Sequence, residues 1–142
     1  MSNQALGSTE LILKIVLRLV GGASLLALIF VAAPYSWMDA IHSALGMGKL
    51  PDNPVVGYLA RSTSAFYALL GGLFWLVSFD LPRYRNVLLY LGVAVILLGA
   101  ALAVIDWCEG MPYFWKVWEG PFTIVFGFVL FLLSRVLKTG AL

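Results

Sequence analysis

The chain has 142 residues, 62% hydrophobic and 11% charged, with a mean hydropathy of +0.97. Soluble domains carry about 45–50% apolar and about 25% charged residues, so this composition excludes a water-soluble globular fold and makes lipid the solvent for most of the chain. A net charge of +2 with no run of Lys and Arg leaves no patch for nucleic acid.

The first apolar segment runs from about Leu11 to Ala33 and is closed by Pro34. Val31-Ala32-Ala33 loosely resembles a signal-peptidase site. However, the run is longer than a signal-peptide core and Pro34 would hinder cleavage, so it reads as a retained helix. In the loop that follows, Ser36-Trp37-Met38-Asp39 has the spacing of a capping box with Asp in place of Glu or Gln. Trp37, Ile41 and Leu45 then share one helical face, which predicts a short amphipathic helix lying in the membrane interface.

The second span covers about Val55 to Phe79, and Asp80, Pro82 and Arg83 turn the chain into a third at about Val87 to Ile105. After Gly110 and Pro112, Tyr113 to Trp118 is expected to make one or two turns before Gly120-Pro121 restarts the chain into a fourth span, about Pro121 to Leu137. Each span is near the roughly 20 residues that cross a hydrocarbon layer. The expected fold is all-α: one integral membrane domain over residues 1–142, a bundle of four transmembrane helices with short interfacial helices in the outer loops.

Lys14, Arg83, Arg85, Arg135 and Lys138 fall on one side of this topology and Lys49 and Lys116 on the other, so the positive-inside rule puts both termini in the cytoplasm. Tyr35, Trp37 and Tyr58 near the first outer loop, and Trp107, Tyr113, Trp115 and Trp118 around the second, read as an interfacial aromatic belt.

Helices in lipid associate where small side chains let backbones approach. The second span has such a ridge at Ala60, Ser64, Ala68 and Gly72, expected to face another helix or a second copy of the chain. The first offers Gly22, Ala23 and Ala27, the third Gly92, Gly99 and Ala103, and the fourth Gly120, Gly127 and Ser134. Phe66, Gly71 and Trp75-Leu76-Val77-Ser78 align without gaps on Phe122, Gly127 and Phe131-Leu132-Leu133-Ser134, and Gly21 aligns on Gly92. This is the pattern of a parallel repeat of a helix pair, although matches among apolar residues also arise by chance.

Ionisable groups inside spans are the first places to look for function. Glu10, Lys14 and Arg18 form one stripe, and Arg18, roughly 10 Å into the inner leaflet, is expected to snorkel or to pair with Asp80. Arg61 opens the polar run Arg61-Ser62-Thr63-Ser64, and its expected partners are Asp106 and Glu119 at the ends of neighbouring spans. Two readings follow: a structural clamp, or a site for an anionic or quinone headgroup lined by Arg61, Ser64, Tyr67, Asp106 and Glu119. His42 reads as a polar-face residue. The single cysteine, Cys108, excludes an intrachain disulfide or thiolate cluster, and one histidine cannot supply a bis-histidine haem site. No metal, cofactor or catalytic set is expected. No carboxylate lies mid-span as proton-coupled exporters require, and no Walker loop, HExxH or GxSxG motif occurs.

Pro34, Leu45-Gly46, Pro54, Arg61 followed by small residues, Gly71-Gly72 and Arg83-Tyr84-Arg85, in that order, resemble the DoxX-like superfamily of small bacterial four-helix membrane proteins, particularly its uncharacterised branches. The resemblance covers most of the chain and carries over one residue, Arg61, as the second-helix arginine. It implies a multi-pass protein of the bacterial inner membrane. The leading expectation is a non-enzymatic accessory or binding protein whose partners are the bilayer and a membrane protein or a further copy of itself. The alternative is a membrane component of a quinone-linked oxidoreductase, or a small-molecule carrier, with its polar site around Arg61.

The topology has a direct test. In intact cells a thiol reagent that cannot cross the membrane should modify a cysteine placed at Asp52 and spare one placed at Asn86; the reverse pattern would overturn the orientation.

Overall fold

A computed structural model describes residues 3–137, with side chains from Gly7 onward. Lys138 therefore lies outside the described residues. Among the described residues the chain forms six helical segments and no strand: α1 (Asn3–Leu25), α2 (Leu28–Ala32), α3 (Tyr35–Ala44), α4 (Pro54–Val77), α5 (Arg85–Cys108) and α6 (Tyr113–Val136). Three stretches, Gly7–Ala32, Arg85–Cys108 and Tyr113–Val136, are long and apolar enough to cross a membrane, as a membrane protein requires. Helix α4 matches α5 and α6 in length at 24 residues. Its Arg61-Ser62-Thr63-Ser64 run keeps it out of that apolar set.

Two compact units divide the chain, residues 17–76 in one and residues 1–16 with 77–142 in the other. In the unit of residues 17–76, α1 and α4 cross at Gly21 and Gly71. A Cβ on Gly71 would stand 2.6 Å from the Gly21 carbonyl oxygen and 2.9 Å from the Leu25 nitrogen. Only glycine fits so close a backbone approach. Of the ridge expected to face another helix or a second copy of the chain, Gly72 does not make this approach: a Cβ there would meet nothing within 4 Å. Ala68 is buried, while Ala60 and Ser64 line a cavity. Gly72 is rotated by about 100° from its neighbour Gly71, and it is Gly71 that faces α1.

In the other unit α5 and α6 pack through the small residues that the sequence singles out. A Cβ on Gly127 would lie 2.9 Å from the Gly92 carbonyl oxygen and 2.7 Å from the Ile96 nitrogen; one on Gly99 would lie 2.9 Å from the Gly120 carbonyl oxygen. Gly120 in turn abuts Ala103.

These two crossings have the same atoms in the same register. Gly71 meets the carbonyl of Gly21 and the amide of Leu25; Gly127 meets the carbonyl of Gly92 and the amide of Ile96. An aromatic four residues on, Trp75 or Phe131, presses on Gly21 or Gly92 in each case. Burial repeats too, with Leu17 and Leu88, Ser78 and Ser134, and Leu81 and Leu137 buried as equivalent pairs. The duplication legible as a weak sequence match is thus present in the packing.

Several boundaries differ from expectation. The first apolar run is interrupted between Leu25 and Leu28, so it forms α1 and α2 rather than one unbroken helix. Residues Tyr113 to Trp118 are not a separate element: α6 runs continuously from Tyr113 with Pro121 inside it. The Thr123 hydroxyl donates to the Glu119 carbonyl at 2.8 Å, one turn back along the helix beside that proline; the carbonyl that Pro121 itself leaves without an N–H is that of Val117. Helix α3 begins at Tyr35 with no side-chain cap, so the Ser36–Asp39 capping box does not form. The Asp39 carboxylate instead accepts the Leu50 N–H at 2.7 Å, pinning the loop that returns to α4. Trp37, Ile41 and Leu45 are exposed, as an interfacial helix presents its apolar face to lipid.

Both α3 and α5 end in the same way. Gly46 and Gly110 take φ of 76° and 69°. In each, the next residue's N–H bonds back to the helix, Met47 to the His42 carbonyl and Met111 to that of Asp106. This Schellman closure needs the left-handed conformation that glycine adopts without strain.

The glycine contacts define an expected contrast. Gly71→Ala and Gly127→Ala should each lower stability by about 1–3 kcal/mol, the usual cost of overpacking, whereas Gly72→Ala should leave it within about 0.5 kcal/mol. Denaturation in detergent micelles measures all three, and equal losses at Gly71 and Gly72 would contradict the crossing described.

Candidate functional site

Arg61 stands in the first half of α4, and its surroundings follow from Pro34. A residue preceding proline is pushed out of the helical region, and Ala33 accordingly takes φ −59° and ψ 144°. Helix α2 must stop there, and the Val31 and Ala33 carbonyls then lack the amide partners that a continuing helix would supply. Arg61 fills that gap: its Nη1 donates to the Val31 carbonyl at 2.6 Å and its Nη2 to the Ala33 carbonyl at 2.9 Å. A planar guanidinium has donors at the spacing needed to hold two acceptors at once, and an unsatisfied carbonyl at membrane depth would cost several kcal/mol.

The other expected site residues are distributed as follows. Ser64 and Tyr67 follow Arg61 at intervals of three along α4. Ser64 borders an apolar cavity of about 220 Å³ beneath α3, whose walls include Phe30, Met38, Ile41 and Leu50. Tyr67 is 41% exposed. Asp106 and Glu119 belong to the other unit. Asp106 is only 4% exposed, and its Oδ2 has no hydrogen-bond partner. Glu119 Oε2 accepts the Trp115 indole N–H at 2.5 Å, one helical turn away on α6. The partners that the structure gives Arg61 are backbone carbonyls, where the sequence reading looked to carboxylates.

Around the cavity the loop from α3 to α4 is closely tied. Tyr35 donates its phenol to the Pro51 carbonyl at 2.5 Å, and Ser43 donates to the Gly48 carbonyl at 3.0 Å. His42 Nδ1 lies 2.8 Å from that same carbonyl. A carbonyl only accepts, so Nδ1 carries the proton. Desolvation, then the charges of Asp52 and Asp39, hold the Tyr35 phenol above its ordinary range, which keeps it a donor. His42 thus serves the loop. Arg18 lies with its guanidinium carbon 5.3 Å from the centre of the Trp75 ring, a cation–π contact. No group of three or more metal-ligating side chains occurs among the described residues.

The Val31 and Ala33 carbonyls are not legible in the sequence, because backbone acceptors have no letter of their own. Pro34 in one apolar run, with an arginine inside another, is the sign the sequence carries.

Compared with family models, with curated proteins and with solved structures, the chain matches none.

Arg61→Ala should lower stability by about 1–3 kcal/mol for each carbonyl stranded, and Arg61→Lys should recover part of that loss. Urea titration of the protein in micelles provides the measurement. An unchanged midpoint for Arg61→Ala would mean that water satisfies these carbonyls.

Proposed function

We propose that this chain is a small four-span membrane protein that acts by binding and not by catalysis, as an accessory to a membrane partner or to a further copy of itself. Helix α4 is the fourth crossing, its arginine run tolerated because Arg61 is hydrogen-bonded within the chain. The landmarks that resemble the DoxX-like superfamily support a place in the bacterial inner membrane, and the Lys and Arg asymmetry supports cytoplasmic termini.

The observation that carries this reading is the state of Arg61. It is the strongest candidate for chemistry inside a span, and its guanidinium is already engaged by two carbonyls. A group held in this way cannot also be the main anchor of an anionic substrate without giving up bonds that maintain the fold. The adjoining cavity is walled mainly by Phe30, Met38, Ile41 and Leu50, which fits an apolar contact better than a charged reactant.

The competing reading, a quinone-linked component with Arg61, Ser64, Tyr67, Asp106 and Glu119 around the headgroup, makes a separate forecast. A ligand that binds only the folded state raises its stability. On the accessory reading a short-chain quinone analogue should shift the melting temperature of neither the native protein nor Arg61→Lys. A rise in the native protein alone would overturn the accessory reading in favour of the quinone site.

A further inference from the structure

Within the unit of residues 1–16 and 77–142, a second cavity of about 310 Å³ opens between the start of α1 and the connection from α4 to α5. It has room for roughly ten water molecules at ~30 Å³ each. Glu10 and Lys14 line one side, one helical turn apart and hence on the same face of α1. Asp80 lines the other, its Oδ1 accepting the Arg83 N–H at 3.2 Å, which fixes the carboxylate on the turn. Leu11 and Leu81 supply apolar wall. Neither Glu10 nor Lys14 has a hydrogen-bond or ion-pair partner among the described residues.

We infer that this cavity receives the phosphoethanolamine headgroup of a membrane lipid, with Lys14 on the phosphate and Glu10 and Asp80 on the ammonium. The charges select this chemistry. One cation and two carboxylates around the same cavity complement a headgroup that carries both signs joined by a short carbon bridge. An anionic headgroup would meet two like charges, which is unfavourable. A choline headgroup has no N–H to donate, and its methyl groups hold the carboxylates away from the charge; a primary ammonium offers three donors. The location agrees: the apolar stretch Gly7–Ala32 begins at this cavity, so its mouth lies where headgroups meet water. The inference rests on α1 crossing the membrane, as the function proposed above also requires.

The test places the full chain in bilayers containing phosphatidylethanolamine, phosphatidylcholine and phosphatidylglycerol in equal amounts and counts, by native mass spectrometry, the lipids that remain bound. Phosphatidylethanolamine should be retained on the order of tenfold above the other two, the effect of hydrogen bonds to charged groups. Glu10→Gln and Lys14→Ala should each bring it close to the phosphatidylcholine level; the Glu10 side chain makes no bond among the described residues, and Gln keeps its shape, so this variant tests the site with little effect on folding. Equal retention of all three lipids, or retention unchanged by both variants, would overturn the assignment. Soluble phosphoethanolamine that displaces the lipid at comparable concentration would overturn the lipid as the ligand. Recovery of the protein in the bilayer fraction is scored in the same samples, so a chain that never enters the membrane is told apart from one that enters without selecting a headgroup.

Discussion

Two backbone carbonyls, those of Val31 and Ala33, set the terms for the unit of residues 17–76. Pro34 ends α2 inside an apolar stretch and leaves both without an amide partner. In water this would matter little. In lipid each such group must be satisfied from within the chain, and the donor that reaches them is the Arg61 guanidinium on α4. The approach of α4 to α1 at Gly21 and Gly71 sets up this meeting. The Gly21–Gly71 and Val31–Arg61 pairings are each ten residues further along their helices in opposite directions, as an antiparallel register demands. Arg61 in turn lowers the hydropathy of α4, which is why that helix looks less like a span than its neighbours.

The second helix pair shows what happens without the break. Helices α5 and α6 repeat the glycine crossing, with Gly92 and Gly127 in the places of Gly21 and Gly71. Helix α5, however, runs unbroken from Arg85 to Cys108. Continued from the matched residues, the register puts Val117 opposite Arg61. The pair with a broken helix carries the arginine, and the pair with an intact helix carries valine. An arginine recruited for catalysis would have no reason to follow the break; one recruited to cap carbonyls would.

Much of this was legible in the sequence because it depends on patterns of side chains. Apolar run lengths locate α4 and α5 to within a few residues; α1 begins at Asn3, eight residues before the apolar run, and Gly120-Pro121 looks like a restart, yet α6 continues through it. The small residues of α5 and α6 were the right ones, since heptad spacing there coincides with the contact face. On α4 the spacing of four selected Gly72 although the crossing uses Gly71, because the partner's angle of approach decides the contact and the sequence of one helix does not contain it. Arg61 is legible in the sequence as a charge inside a span, and the structure gives it two carbonyl partners. Its partners are not legible, because the sequence displays side-chain acceptors, carboxylates first among them for an arginine, and gives backbone carbonyls no letter.

Solid-state NMR of the protein in bilayers, with labelled arginine guanidinium nitrogens and labelled carbonyl carbons, examines the capped break itself. The account predicts correlations from the Arg61 Nη atoms to the Val31 and Ala33 carbonyl carbons, lost in Arg61→Lys. Correlations to a side-chain carboxylate carbon, with none to those two carbonyls, would contradict it.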